Sequence, residues 1–187
     1  MNTQMNEFHL KIYLSEISFQ CQLVLQANDG VMHFLKQLPN ANRVDASQFL
    51  QNEVFRNLHS LLTHTSNVSR LLWHPNKKGK SKDRAEYLRS YLGLTEHHVV
   101  ADRRLRDHLE HFDERLDNWR EGSNATMFAD ATIGPQGKTF GGIEEKSIMR
   151  FFDPYSFIYV FRGEPFSIKE ISKSVWELNQ LIRSQIH

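Results

Sequence analysis

Leu10, Leu14, Ile17, Cys21, Val24, Val31, Leu35 and Leu38 recur at three- and four-residue steps, broken only by Asn28. Only an α-helix returns side chains to one face at that period. A stripe of this length has to be covered by other elements, which commits the chain to helix packing. Its register survives Asn28-Asp29-Gly30, so one long helix is predicted, with any kink placed there, ending at Pro39 and Asn40.

The same logic extends downstream. Asp45 and Gln48 have the spacing of a capping box, ahead of a second stripe formed by Leu50, Val54, Leu58, Leu61, Thr65, Val68 and Leu72. That helix stops at Pro75, and residues 76–83 form a polar, basic loop. Asp83 and Glu86 predict the cap of a short third helix closed by Gly93. A fourth helix carries Leu105, Leu109, Phe112, Leu116 and Trp119 as a narrow apolar seam beside a wide polar face.

The pattern then changes period. Residues 131–142 are rich in glycine and turn formers, and residues 147–152 and 156–161 are short, aromatic and β-branched around Asp153-Pro154-Tyr155. These features predict a β-hairpin, followed by a turn at Arg162-Gly163-Glu164-Pro165. Ser167 and Glu170 then cap a last helix with Ile168, Ile171, Val175, Leu178, Ile182 and Ile186 inward. The predicted fold is mainly α: a helical bundle of about five helices with a small β-hairpin inserted before the C-terminal helix. It is read as a single domain over 1–187, with the main bundle at 5–124, the hairpin insertion at 125–166, and a C-terminal helix at 167–187 packing back on the bundle.

Composition narrows the function classes. A net charge of +1 over 187 residues provides no global field toward nucleic acid or membranes, so any anion site must be local. Cys21 is the single cysteine, it lies in the first core stripe, and no nucleophile elbow is present. The first residues lack the basic start and apolar run of a signal peptide, and no stretch is apolar for the length of a bilayer. A cytoplasmic protein without a membrane partner is expected.

Chemistry concentrates on the polar face of the fourth helix. With the seam at zero, Arg106 falls at roughly 100°, Asp107 at roughly 200° and His111 at roughly 240° around the axis. Asp107 and His111 are four residues apart, so the carboxylate can reach the imidazole, favour one tautomer and raise its basicity. Arg106 and His111 make a poor pocket within one copy. Two copies meeting across a two-fold axis would bring both pairs over one cleft, where the imidazole moves a proton and the guanidinium holds a phosphate.

Arg106-Asp107-His108-Leu109-Glu110-His111 resembles the R-x4–6-H motif of the HEPN superfamily, with aspartate where that family commonly has asparagine. The resemblance covers the bundle, broadly residues 5–120 plus the last helix. It implies a dimeric HEPN-like helical domain. It also implies RNA binding or metal-independent endoribonuclease activity, of the kind found in toxin–antitoxin, antiviral or RNA-processing systems. Arg106, Asp107 and His111 would be the catalytic group, with no cofactor and no metal. RNA and a cognate antitoxin or other protein would be the partners, beside a second copy of the chain. Arg103 and His108 give a competing frame; Arg106 is preferred because its next residue is polar and its frame uses the exposed sector. Asn57, His64 and Asn67 on the second helix are candidates for substrate binding if that helix borders the Arg106 sector.

Blander readings stand beside these. The charged sector also fits a solvated helix face with pairs such as Asp102–Arg106, and His59 beside the second stripe fits an interhelical hydrogen bond. His97-His98, His108 and His111 hint at metal but lack a paired Glu-x-x-His motif. Lys77-Lys78-Gly79-Lys80 reads as a solvated connector that could touch phosphate. Residues 134–139 are too short for a phosphate loop and precede a strand. The alternative function is a non-catalytic dimeric interaction module offering Phe151, Phe152, Tyr155, Phe157 and Tyr159 to a protein partner.

Overall fold

The computed structural model describes residues 5–74, 78–102, 104, 112–122, 129–135 and 148–186. Among them are five α-helices: α1 (Glu7–Gln37), α2 (Val44–Leu72), α3 (Lys80–Leu92), α4 (Phe112–Gly122) and α5 (Ile168–Ile186). Short 3-10 turns at Leu38–Asn40 and Val99–Ala101 bend the chain between them. Four strands precede the last helix: β1 (Thr132–Ile133), β2 (Arg150–Asp153), β3 (Ile158–Phe161) and β4 (Glu164–Ser167). The chain is thus a mainly α protein with its β element placed just before the C-terminal helix, as the periodicity predicts.

Helix α1 runs unbroken through Gly30, and its Leu10, Leu14, Ile17, Cys21, Val24 and Val31 are all buried. α2 returns antiparallel to it: Gln20 meets His64 and Asn67, while Gly30 meets Asn57. The glycine is a packing requirement. A Cβ built at position 30 would lie 2.2 Å from the Asn57 Oδ1, so only hydrogen leaves room for α2 to come this close. The predicted stripe of α2 is inward throughout, from Leu50 to Leu72.

α5 lies antiparallel along α1, where buried Ser18 donates to the Asn179 Oδ1 (2.8 Å) and Ser172 donates to the Asn28 Oδ1 (3.1 Å). Its Ile168, Ile171, Val175, Leu178 and Ile182 are buried. The Ser167 hydroxyl accepts from the Glu170 N–H at 3.2 Å, capping the helix where the Ser-x-x-Glu spacing places it. α3 closes one end of the α1–α2 pair. Arg84 reaches the Arg70 carbonyl (3.2 Å), Arg89 reaches the Leu72 carbonyl, and the Trp73 indole donates to the Thr95 carbonyl (3.2 Å).

Two boundaries and one burial pattern depart from the sequence reading. α2 starts at Val44, and Asp45 is no cap; it lies in the first turn, clamped by both arms of Arg43 (3.1 and 2.9 Å). α3 starts at Lys80, three residues before Asp83. In α4, Leu116 is 39 % exposed, and Trp119 is the residue packed against the core.

The sheet order is β1-β2-β3-β4, with β1 parallel to β2 and the other pairs antiparallel. The predicted hairpin corresponds to β2 and β3, joined through Asp153, whose carboxylate accepts from the Tyr155 N–H (2.9 Å) and the Ser156 hydroxyl (2.7 Å). The turn predicted over 162–165 is shorter than expected. Arg162 and Gly163 both take positive φ, 47° and 81°, which suits a two-residue hairpin, and Glu164 already begins β4. Pro165 lies in an edge strand, where a missing N–H is tolerated. One face of the sheet sends Phe152, Tyr159, Phe161 and Phe166 into the main core, while Ile148, Phe151 and Val160 form a second, smaller cluster.

Candidate functional site

Arg106, Asp107 and His111 lie outside the described residues, as do Arg103 and His108. The structure describes what brackets them. Upstream, Arg104 donates to both oxygens of Asp102 (3.2 and 2.7 Å), and this hydrogen-bonded pairing raises its pKa. Its guanidinium lies 5.6 Å from the ring centre of Phe166 on β4. Downstream, the Arg162 guanidinium, from the β3–β4 turn, donates to the Arg115 carbonyl of α4 at 3.0 Å. Both flanks of the motif segment are therefore tied to one β-hairpin. A cavity of about 160 Å3 opens beside the upstream flank, lined by Thr65, Val100, Asp102, Arg104, Phe166 and Glu170.

Helix α2 thus borders the cavity beside Arg104 through Thr65, and not through the residues proposed for substrate binding. Asn57 is buried against Gly30, and its amide donates to the Glu53 carbonyl (2.7 Å). His64 and Asn67 lie on the α1–α2 seam, where they share one partner. The Gln20 Oε1 accepts from the Asn67 amide (3.2 Å) and meets the His64 Nδ1 at 2.8 Å, while the Gln20 amide donates to Glu16 (2.7 Å). With Gln20 oriented by Glu16 and Asn67, His64 carries its proton on Nδ1 and keeps a lone pair on Nε2. Desolvation lowers the His64 pKa and so favours this neutral form. Asn57 is two helical turns away, about 10 Å along the axis, so the three do not converge on one pocket.

A polar cluster at the junction of α2 and the sheet escapes sequence reasoning. Arg150 on β2 donates to both oxygens of Asp130, one contact at 2.8 Å, and Asp130 also accepts from the Ala131 N–H at 2.8 Å. Gln51 of α2 donates to the Ala131 carbonyl. His59 of α2 is close enough to feel the Arg150 cation; desolvation first, and that charge second, lower its pKa. Tyr159 is buried beside the pair, and burial raises its phenol pKa. The signal in the sequence is an arginine next to the apolar Phe151-Phe152 pair.

Other motifs resolve into structure. Cys21 is buried and its thiol is pushed up to about 12 by desolvation, which leaves it unsuited to nucleophilic work. His98 stacks on Trp73 (ring centres 5.0 Å apart) and its Nδ1 accepts from the Val100 N–H (3.2 Å). No group of three metal-ligating side chains occurs among the described residues. The aromatic hairpin is mostly turned inward: Phe151, Phe152 and Tyr159 are buried and Phe157 is half-buried against the core, whereas Tyr155 is 83 % exposed. No described helix is long and apolar enough to cross a membrane. Comparison with known protein families, characterised proteins and solved structures returns no match for this chain.

Proposed function

We propose that the chain is a HEPN-like RNA-binding protein or metal-independent endoribonuclease that works as a homodimer, of the kind found in toxin–antitoxin or defence systems. The observation that carries this reading is the bracketing of the Arg106–His111 segment. Arg104 on one side and Arg115 on the other are both held by the β3–β4 hairpin, which in turn runs directly into α5. Catalytic groups need a scaffold that fixes them within fractions of an ångström, and flanking residues held by one hairpin support that reading.

In the proposed reaction the ribose 2′-hydroxyl attacks the adjacent phosphorus and the 5′-oxygen leaves, giving a 2′,3′-cyclic phosphate. His111 transfers the proton between these oxygens, Arg106 stabilises the charge building on the phosphorane-like oxygens, and Asp107 orients the imidazole. The purified protein is expected to cleave RNA in the presence of EDTA. His111→Ala is expected to abolish cleavage while leaving the melting curve unchanged. Cleavage that continues undiminished in that variant would remove the site.

A further inference from the structure

The first two turns of α1 and of α3 line a groove of about 770 Å3. This lies within the range of roughly 300–1,000 Å3 in which pockets hold small organic ligands. His9, Ile12 and Tyr13 line it from α1; Lys80, Arg84 and Tyr87, stepping by four and three along one face of α3, line it from the other side. Tyr13 and Tyr87 also pack on the main core, so each is a fixed platform. Arg84 is held 5.5 Å from the ring centre of Tyr13 with one arm on the Arg70 carbonyl. Lys80 is exposed and continues the basic run that starts before α3. Asp83 adds one carboxylate to the lining.

We propose that this groove is a binding site for a segment of single-stranded RNA. The Lys80 ammonium and the Arg84 guanidinium, backed by Tyr13, match a phosphate, and Tyr87 offers a ring to the base that follows it. Asp83 adds an acceptor to the lining, to which a base amino group or a ribose hydroxyl can donate a hydrogen bond. The site rests on the RNA reading above but is separate from the Arg106–His111 segment, and its role is to hold substrate outside the place of cleavage.

The test uses the full chain and a fluorescent 2′-O-methyl RNA, which lacks the attacking hydroxyl, so binding is measured without cleavage. Tyr87→Leu, which keeps an apolar side chain on the core, is expected to weaken binding about 5- to 150-fold by removing the stacking ring. Lys80→Gln should weaken binding and make the slope of log affinity against log salt shallower by about 0.7. An otherwise identical oligonucleotide with abasic positions should bind the wild type as poorly as the intact one binds Tyr87→Leu. Thermal melting of both variants confirms that the fold is kept. Wild-type affinity in both variants, equal affinity for the abasic strand, or ready displacement of the RNA by polyglutamate would overturn the proposal. Loss of cleavage in His111→Ala alongside unaltered binding in the groove variants sinks the groove and spares the nuclease. Groove-dependent binding with no cleavage by the wild type does the reverse.

Discussion

The α1–α2–α5 bundle and the sheet with its neighbouring segments are held together by different chemistry. In the bundle, the polar contacts that cross between helices are uncharged: Ser18 with Asn179, Asn28 with Ser172, and Gln20 with His64 and Asn67. Each supplements a continuous apolar seam and sets the register of one helix on another. Around the sheet, beside the neutral contact of Gln51 with Ala131, several contacts are ionic or made by arginine: Asp130 with Arg150, Asp102 with Arg104, and Arg162 with a carbonyl of α4. The difference teaches where the molecule tolerates change. Neutral amides in a close-packed seam respond to shape, whereas partly exposed ion pairs respond to salt and pH.

Three experiments sharpen or break this contrast. The largest effect is expected from Phe152→Ala, which opens the main core from the sheet side and should cost about 3–5 kcal/mol in denaturant unfolding. Phe151→Ala, in the small outer cluster, should cost visibly less; equal losses would mean that the two clusters behave as one core. Next comes Gly30→Ala, expected to cost about 1–3 kcal/mol by forcing α1 and α2 apart at Asn57. Adding Asn57→Ala should return part of that loss, and a double-mutant cycle with purely additive terms would show that the contact is not what limits the approach.

The smallest effect is on pH dependence. His59, His64 and His98 all have pKa values lowered by desolvation, so the folded state favours their neutral forms. The stability linked to them is complete above the ordinary histidine value of 6.5 and declines as pH falls through the lowered folded values. His59→Gln should make this acid slope shallower, and adding salt should alter it because Arg150 contributes to the shift. A slope identical to wild type would remove His59 from the charged region.

The bundle was readable because its determinants are local. Leu10 to Val31, Leu50 to Leu72 and Ile168 to Ile182 each repeat within their own helix, so the stripe alone states which face is inward. The close approach at Gly30 was not readable. It depends on what lies opposite on a helix that begins fourteen residues later, and the sequence offered Asn28-Asp29-Gly30 only as a kink. β4 was hidden by Pro165, whose turn character matters less at a sheet edge. Asp130 and Arg150, twenty residues apart, carry no spacing that joins them. For the site, the Arg106-Asp107-His111 motif comes from the sequence alone, and the structure describes only the residues that flank it, Arg104 and Arg115. Asn57, His64 and Asn67 share a helix face by spacing, yet each is engaged on the seam with α1, a partner that spacing cannot name.

Ser18 and Asn179 are 161 residues apart along the chain and meet in the interior. During synthesis on the ribosome, the α1–α2 pair can form as soon as both helices emerge. The flank of α1 destined for α5 then stays uncovered until almost everything else has been translated. The nascent protein therefore passes through a long interval with an open, sticky side, and a chaperone that shields helical apolar surfaces would be most useful to it in that window.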